Sequence, residues 1–160
     1  DAKEMSEKFF SRRSVEQVEE GTQLAPKFDS DGLIPAITTD YGTGEVLMHG
    51  YMNTEALEKT IKTGEAYYFS RSRNQLWHKG ATSGLIQTVK ELMIDDDQDC
   101  VLLKVNIVGG ASCHVGYRSC FYRRISLHDD SSRLKLEFTD REKVFDPKVV
   151  YGDNPSPTKL

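Results

Sequence analysis

At 160 residues the chain has the length of one domain with a real core, and two independent cores would be crowded. Its 38% hydrophobic and 29% charged residues are the composition of an ordinary globular chain, and a net charge of −4 argues against general affinity for nucleic acid, so an anionic ligand must be met by a local basic cluster. No run approaches the roughly 18 to 20 apolar residues that span a bilayer, the polar start Asp1-Ala2-Lys3-Glu4 has no signal-peptide pattern, and an odd count of three cysteines makes no disulfide framework. The expectation is a cytoplasmic protein without membrane or nucleic-acid partners.

In chain order, residues 1–22 are densely charged, with Met5, Phe9, Phe10, Val15 and Val18 as the sizeable apolar residues. A short amphipathic helix and a flexible extension both fit, and the segment is set apart from a domain over 23–151. Leu33-Ile34-Pro35-Ala36-Ile37 reads as a strand, Pro35 suggesting an edge or a strand start. A turn at Asp40-Tyr41-Gly42-Thr43-Gly44 leads into Glu45-Val46-Leu47-Met48, which completes a hairpin. Asn53 or Thr54 as N-cap, Leu57 and Ile61 one turn apart, and Gly64 at the C′ position define a helix.

Strands are expected at Ala66 to Phe69, Leu85 to Ile94, Val101 to Ile107, Ser119 to Ile125 and Leu134 to Phe138, and residues 152–160, with Pro155 and Pro157, read as a flexible tail. Strands outnumber helices. The pattern fits a mostly β, α+β chain of two packed or barrel-like sheets with one or two helices better than alternating βαβ units.

The chemistry concentrates between Gly109 and Arg123. Cys113, His114, Arg118, Cys120 and Arg123 stand among turn-forming glycines; thiols and imidazole are zinc donors and guanidinium grips phosphate. A surface loop with inert cysteines also fits, because the Cys113–Cys120 separation is longer than usual structural zinc spacings. Upstream lies Asp95-Asp96-Asp97-Gln98-Asp99-Cys100. If this run is extended, Asp95, Asp97 and Asp99 share one side, as a solvated acidic turn or as oxygen ligands for a hard cation such as Mg²⁺. An EF-hand is excluded, since its sixth position is Cys100 and its twelfth Asn106. Arg71 and Arg73, flanked by Ser70 and Ser72, can clasp phosphate or be solvated surface charge. Trp77 fits a core residue or a purine platform, and His78 and Lys79 are polar enough to line a pocket.

These blocks together, with Thr82-Ser83-Gly84, closely resemble the phosphoribosyl-AMP cyclohydrolase family of histidine biosynthesis, over roughly Asp31 to Arg123 and a Val144-Phe145-Asp146-Pro147 tail. The resemblance implies a β-rich pseudobarrel paired into an intimate homodimer, with zinc and magnesium as cofactors and phosphoribosyl-AMP as the small-molecule substrate. It implies magnesium on Asp95, Asp97 and Asp99 and zinc on Cys113 and Cys120; Arg71, Arg73, Trp77, His78, Lys79, Arg118 and Arg123 are the expected substrate contacts on their own chemistry. The implied reaction is hydrolytic opening of the adenine ring at N1–C6 by zinc-activated water, with His114 as acid-base group or, alternatively, as a residue that orients a ligand. A nucleobase deaminase is disfavoured because its His-x-Glu and Pro-Cys-x-x-Cys signature is missing; a non-catalytic zinc-stabilised nucleotide-binding module is the second reading.

One departure bears on the metal. Where the family reads Asp-Cys-Asp-x-Asp, this chain has Asp96, and a thiol stands at Cys100 instead. Either Asp96 or Cys100 completes the zinc set. Cys100 is favoured, because Ser112 reads as a one-residue insertion that would alter where the loop delivers Cys113. About 37 residues follow Arg123, too few for a second core, so a monofunctional enzyme is expected.

Overall fold

The computed structural model describes residues 8–160; the part of the expected amino-terminal extension that includes Met5, residues 1–7, lies outside the described residues. In chain order these form α1 (Val15–Glu20), β1 (Ile34–Asp40), β2 (Val46–Met52), α2 (Thr54–Thr63), β3 (Tyr67–Ser70), β4 (Gln75–His78), β5 (Gln87–Ile94), β6 (Val101–Ile107), β7 (Arg123–Ile125), β8 (Leu136–Phe138) and α3 (Pro147–Tyr151). The chain is mostly β with few helices, as its sequence predicts.

Period-two alternation builds the main sheet. Ile34, Ala36 and Thr38 of β1 and Val101, Leu103 and Val105 of β6 turn one face inward, and all six are buried. The four strands lie in the order β2-β1-β6-β5, with β1 parallel to β6 and the other pairs antiparallel. Pro35 lies at the start of an interior strand, not an edge one: pairing to β6 begins only at Ala36, so its missing N–H leaves no gap in that ladder. Two short ribbons, β3-β4 and β7-β8, complete the sheets among the described residues.

Asn53 caps α2, accepting from the Ala56 amide at 2.8 Å, and Gly64 ends it in the left-handed conformation at φ 72°. Its inward face is Ala56, Leu57 and Thr60, whereas Ile61, expected beside Leu57, is half exposed. Thr60 takes the inner position because its hydroxyl can bond back to the Ala56 carbonyl at 2.8 Å and receive the Tyr67 amide at 3.0 Å, joining helix to β3.

Further differences have local causes. Ser119 to Tyr122 is not strand: the Ser119 hydroxyl donates to Val46 O at 2.8 Å and the Cys120 amide to Leu47 O at 2.7 Å, which spends this segment on the edge of β2 before β7 begins. Leu134 and Lys135 stay outside β8. Strand β4 pairs with β3 across the Arg71–Asn74 turn, where Asn74 takes a positive φ of 52°. Helix α3 starts on an Asp146 N-cap with Pro147 in its first turn.

A buried polar chain crosses the core. The Thr38 and Tyr68 hydroxyls are 2.6 Å apart, Tyr68 donates to Gln87 Oε1 at 2.6 Å, and Gln87 Nε2 donates to Ser112 Oγ at 3.2 Å. All four side chains are almost wholly buried, so each link replaces lost water. Tyr68→Phe keeps the ring but strands Gln87 Oε1 in the interior. It is expected to lower stability by about 1–3 kcal/mol, read as a shift in the denaturant midpoint at unchanged slope.

Candidate active site

The loop after β6 is built by its own backbone. The Ser112 amide donates to Arg118 O at 3.0 Å, Cys113 N to Tyr117 O at 3.1 Å, and Gly116 N to Cys113 O at 3.0 Å, closing a tight turn around His114 and Val115. Gly116 sits at φ 107°, and a Cβ there would lie 2.4 Å from Phe145 O, so only glycine allows the segment before α3 to pack against the turn. The Val144 amide donates to Gly116 O at 2.7 Å across that contact.

Cys113 and Cys120 meet across this turn. An S–H···S hydrogen bond between them holds Cys113 below the usual thiol range and pushes Cys120 above it, burial of each thiol opposing the first shift and adding to the second. The Val115 amide also points at Cys113 Sγ at 3.4 Å, favouring its thiolate. Cys113 is buried and Cys120 exposed, so the pair opens to the surface on one side.

His114 is half-buried on the same turn, with Nε2 3.4 Å from the Ser156 hydroxyl, so the carboxy-terminal segment reaches this loop. Burial, then the charges of Lys79 and Arg73, hold the imidazole below its usual pKa and neutral near pH 7. Lys79 is only 3% exposed; its ammonium donates to Ser112 O at 2.7 Å and lies 5.0 Å from the Trp77 ring centre. Desolvation lowers its pKa, against the neighbouring Cys120 and Cys113 thiols, which raise it. Lys79 thus braces the thiol loop from below.

The other residues singled out from the sequence divide into free and engaged groups. Arg71 lies over the Tyr51 ring at 4.1 Å and Arg123 over Tyr122 at 4.9 Å, both exposed. Arg118 is paired with Asp40 and, at 2.7 Å, with Glu45, clamping its loop to the β1–β2 hairpin. His78 Nε2 is 2.8 Å from Glu65 Oε1 and its ring stacks on Tyr67, whereas Trp77 packs on Tyr68. Alternation along β4 therefore sends these two rings to opposite faces. Trp77 keeps 37% of its surface exposed.

The acidic run is a hairpin turn between β5 and β6, not an extended strand. Asp95 Oδ1 accepts from the Asp99 and Cys100 amides at 2.9 and 3.0 Å, and Gln98 takes φ 54° to close the turn. Folding back, not strand alternation, brings one carboxylate oxygen each from Asp95, Asp97 and Asp99 within 4.8 Å of one another. A hydrogen bond that protonated Asp99 donates to the Asp97 carboxylate, then burial and the Asp95 carboxylate, push Asp99 up to about 6. Among the described residues this is the one group of three or more potential metal ligands. Asp96 is exposed outside that trio, and Cys100, its thiol pushed up by burial and by Asp95, belongs to the acidic turn rather than to the Cys113–Cys120 pair.

Sequence reasoning missed Gln87, Tyr68 and the bracing role of Lys79. Their partners lie 19 to 39 positions away, so no local spacing reports them; the available signal was a glutamine at an inward position of a strand.

A thiol pair, an imidazole and a carboxylate trio are side chains able to hold metal ions. Residues 48–122 match the family model described as phosphoribosyl-AMP cyclohydrolase. The chain is 54% identical over 139 residues to a phosphoribosyl-AMP cyclohydrolase of Rhodopseudomonas palustris strain HaA2, covering 87% of this chain and 93% of that one. It is 51% identical over 151 residues to another from Rhizobium leguminosarum bv. trifolii strain WSM2304, covering 92% and 99%. The chain belongs to the phosphoribosyl-AMP cyclohydrolase family.

Proposed function

We propose that this chain hydrolyses phosphoribosyl-AMP in histidine biosynthesis. Water adds its oxygen to C6 of the adenine ring, the N1–C6 bond breaks, and N1 receives the proton, leaving an imidazole carboxamide with a formimino arm. The observation that carries this reading is the Cys113–His114–Cys120 turn: two thiols and an imidazole on one loop braced by Lys79, in a chain so similar to named cyclohydrolases.

The thiol pair fits zinc, since its S–H···S bond and the Val115 amide already favour a thiolate. When bound, zinc supplies a Lewis acid that brings the pKa of water near 7. The carboxylate trio fits magnesium: three carboxylate oxygens within 4.8 Å of one another crowd negative charge that a divalent cation would relieve. His114 Nε2 moves the protons. Arg71, Arg73 and Arg123 take the substrate's two phosphates, since the guanidinium of Arg118 and the imidazole of His78 are already paired. The part of Trp77 that stays exposed, 37% of its surface, is left for the adenine.

Two thiols are an incomplete zinc set. The third ligand is Cys100 of the partner subunit in a homodimer whose two chains close a pseudobarrel. Support comes from the apolar surface around β7 and β8, where Phe121, Ile125 and Leu134 are 61%, 69% and 65% exposed. The catalytic unit is residues 23–151 in the cytoplasm, flanked by 1–22 and 152–160.

Protein reconstituted with zinc and magnesium and mixed with phosphoribosyl-AMP is expected to change the ultraviolet spectrum as the purine opens. A preparation carrying both metals in stoichiometric amounts that leaves the spectrum unchanged would sink the hydrolase reading and favour a zinc-stabilised nucleotide-binding module.

A further inference from the structure

The amino-terminal segment lies outside the stretch matched by the family model, yet it is wired into the acidic turn. Gln98, at the turn's left-handed position, is 5% exposed. Its Oε1 accepts from the Ala25 amide at 2.8 Å, and its Nε2 donates to Val18 O at 2.9 Å and Gln23 O at 3.2 Å. Its own carbonyl accepts from Lys27 N at 2.7 Å and its amide donates to Asp95 O at 3.0 Å. Every polar group of Gln98 is therefore spent, and its side chain caps a carbonyl of the last turn of α1 that has no helical partner.

Arg12 makes a second, separate tie. One guanidinium nitrogen donates to Ala25 O at 2.7 Å, and the other reaches Asp97 O at 2.8 Å. The segment is itself preorganised. Ser14 and Gln17 form a capping box at the start of α1, Phe10 N donates to Leu24 O at 2.8 Å, and Phe9 stacks on Phe28.

We propose that residues 12–25 are a positioning clamp for the acidic turn, with Gln98 and Arg12 as positioning residues that hold the Asp95, Asp97 and Asp99 carboxylates at cation-binding spacing. This rests on the reading of those three aspartates as ligands of a divalent cation. Three crowded carboxylates repel one another, and Asp95 alone is held by backbone amides of the turn. The backbone at 97 and 98 is held by the clamp, so releasing it lets the trio spread. Outer contacts of this kind typically change metal affinity by about 10- to 100-fold.

The test is Mn²⁺ binding, followed by electron paramagnetic resonance on the zinc-loaded chain. Gln98→Gly removes the side chain without straining a positive φ, and Arg12→Ala cuts the second tie at an exposed site. Both variants are expected to bind Mn²⁺ at least about tenfold more weakly while keeping zinc content and far-ultraviolet circular dichroism. Asp97→Asn is the control for the underlying reading. If it abolishes Mn²⁺ binding and both clamp variants bind like the wild type, the clamp is wrong and the cation site stands. Unchanged binding in Asp97→Asn removes the cation site and the clamp together. Because coupling is reciprocal, Mn²⁺ is also expected to slow hydrogen exchange at the Ala25 and Lys27 amides of the wild type; exchange that ignores the cation would count against the clamp.

Discussion

Cys113→Ala is expected to purify without zinc and to open phosphoribosyl-AMP at least about a thousandfold more slowly, the equivalent of losing several kcal/mol of Lewis-acid stabilisation. The fold should survive, because the loop is held by backbone bonds from Ser112, Cys113 and Gly116 and by Lys79 on Ser112 O, none of which needs the thiol. Cys100→Ala is expected to lose zinc as well, although Cys100 stands in the acidic turn of its own chain. Asp96→Ala should keep it, since Asp96 is exposed and lies outside the carboxylate trio. Retained zinc in Cys100→Ala with loss in Asp96→Ala would make Asp96 the third ligand. If Cys100 comes from the partner subunit, refolding Cys100→Ala together with Cys113→Ala restores one complete site in each mixed dimer, about a quarter of all sites. No recovery in that mixture would exclude a shared site.

Much of this arrangement is written in short-range patterns. The β1–β2 hairpin and α2 follow from a Gly-rich turn, an Asn cap and a left-handed glycine, each acting within one turn of chain. The thiol turn was legible for the same reason. The acidic run was legible in composition but not in shape: alternation suggested a strand, and the turn depends on Gln98 being buried under a segment about 75 positions earlier. Lys79 shows the same limit. Its ammonium is enclosed against Ser112 O, a contact set by the path of the loop after β6 that its local motif does not report. Arg118, read from the sequence as an anion contact, is tied to two carboxylates of the first hairpin, a pairing that no local spacing reports.

His114→Ala separates chemistry from metal binding at the same turn. Among the described residues the imidazole's hydrogen-bond partner is the Ser156 hydroxyl at 3.4 Å, and the turn closes through the Cys113 carbonyl and Gly116 amide. The residue has no left-handed backbone that alanine would strain. Zinc content is therefore expected to match the wild type while kcat falls by about 10²- to 10⁴-fold, the usual contribution of a positioned acid-base group. KM should move little, because the phosphates are held by Arg71, Arg73 and Arg123 in the proposed complex. Added imidazole should return part of the lost rate by filling the vacated space beside Ser156. Zinc lost in parallel with turnover, and no response to imidazole, would instead make His114 a residue that orients the thiol ligands, and the proton carrier would have to be sought elsewhere on the loop.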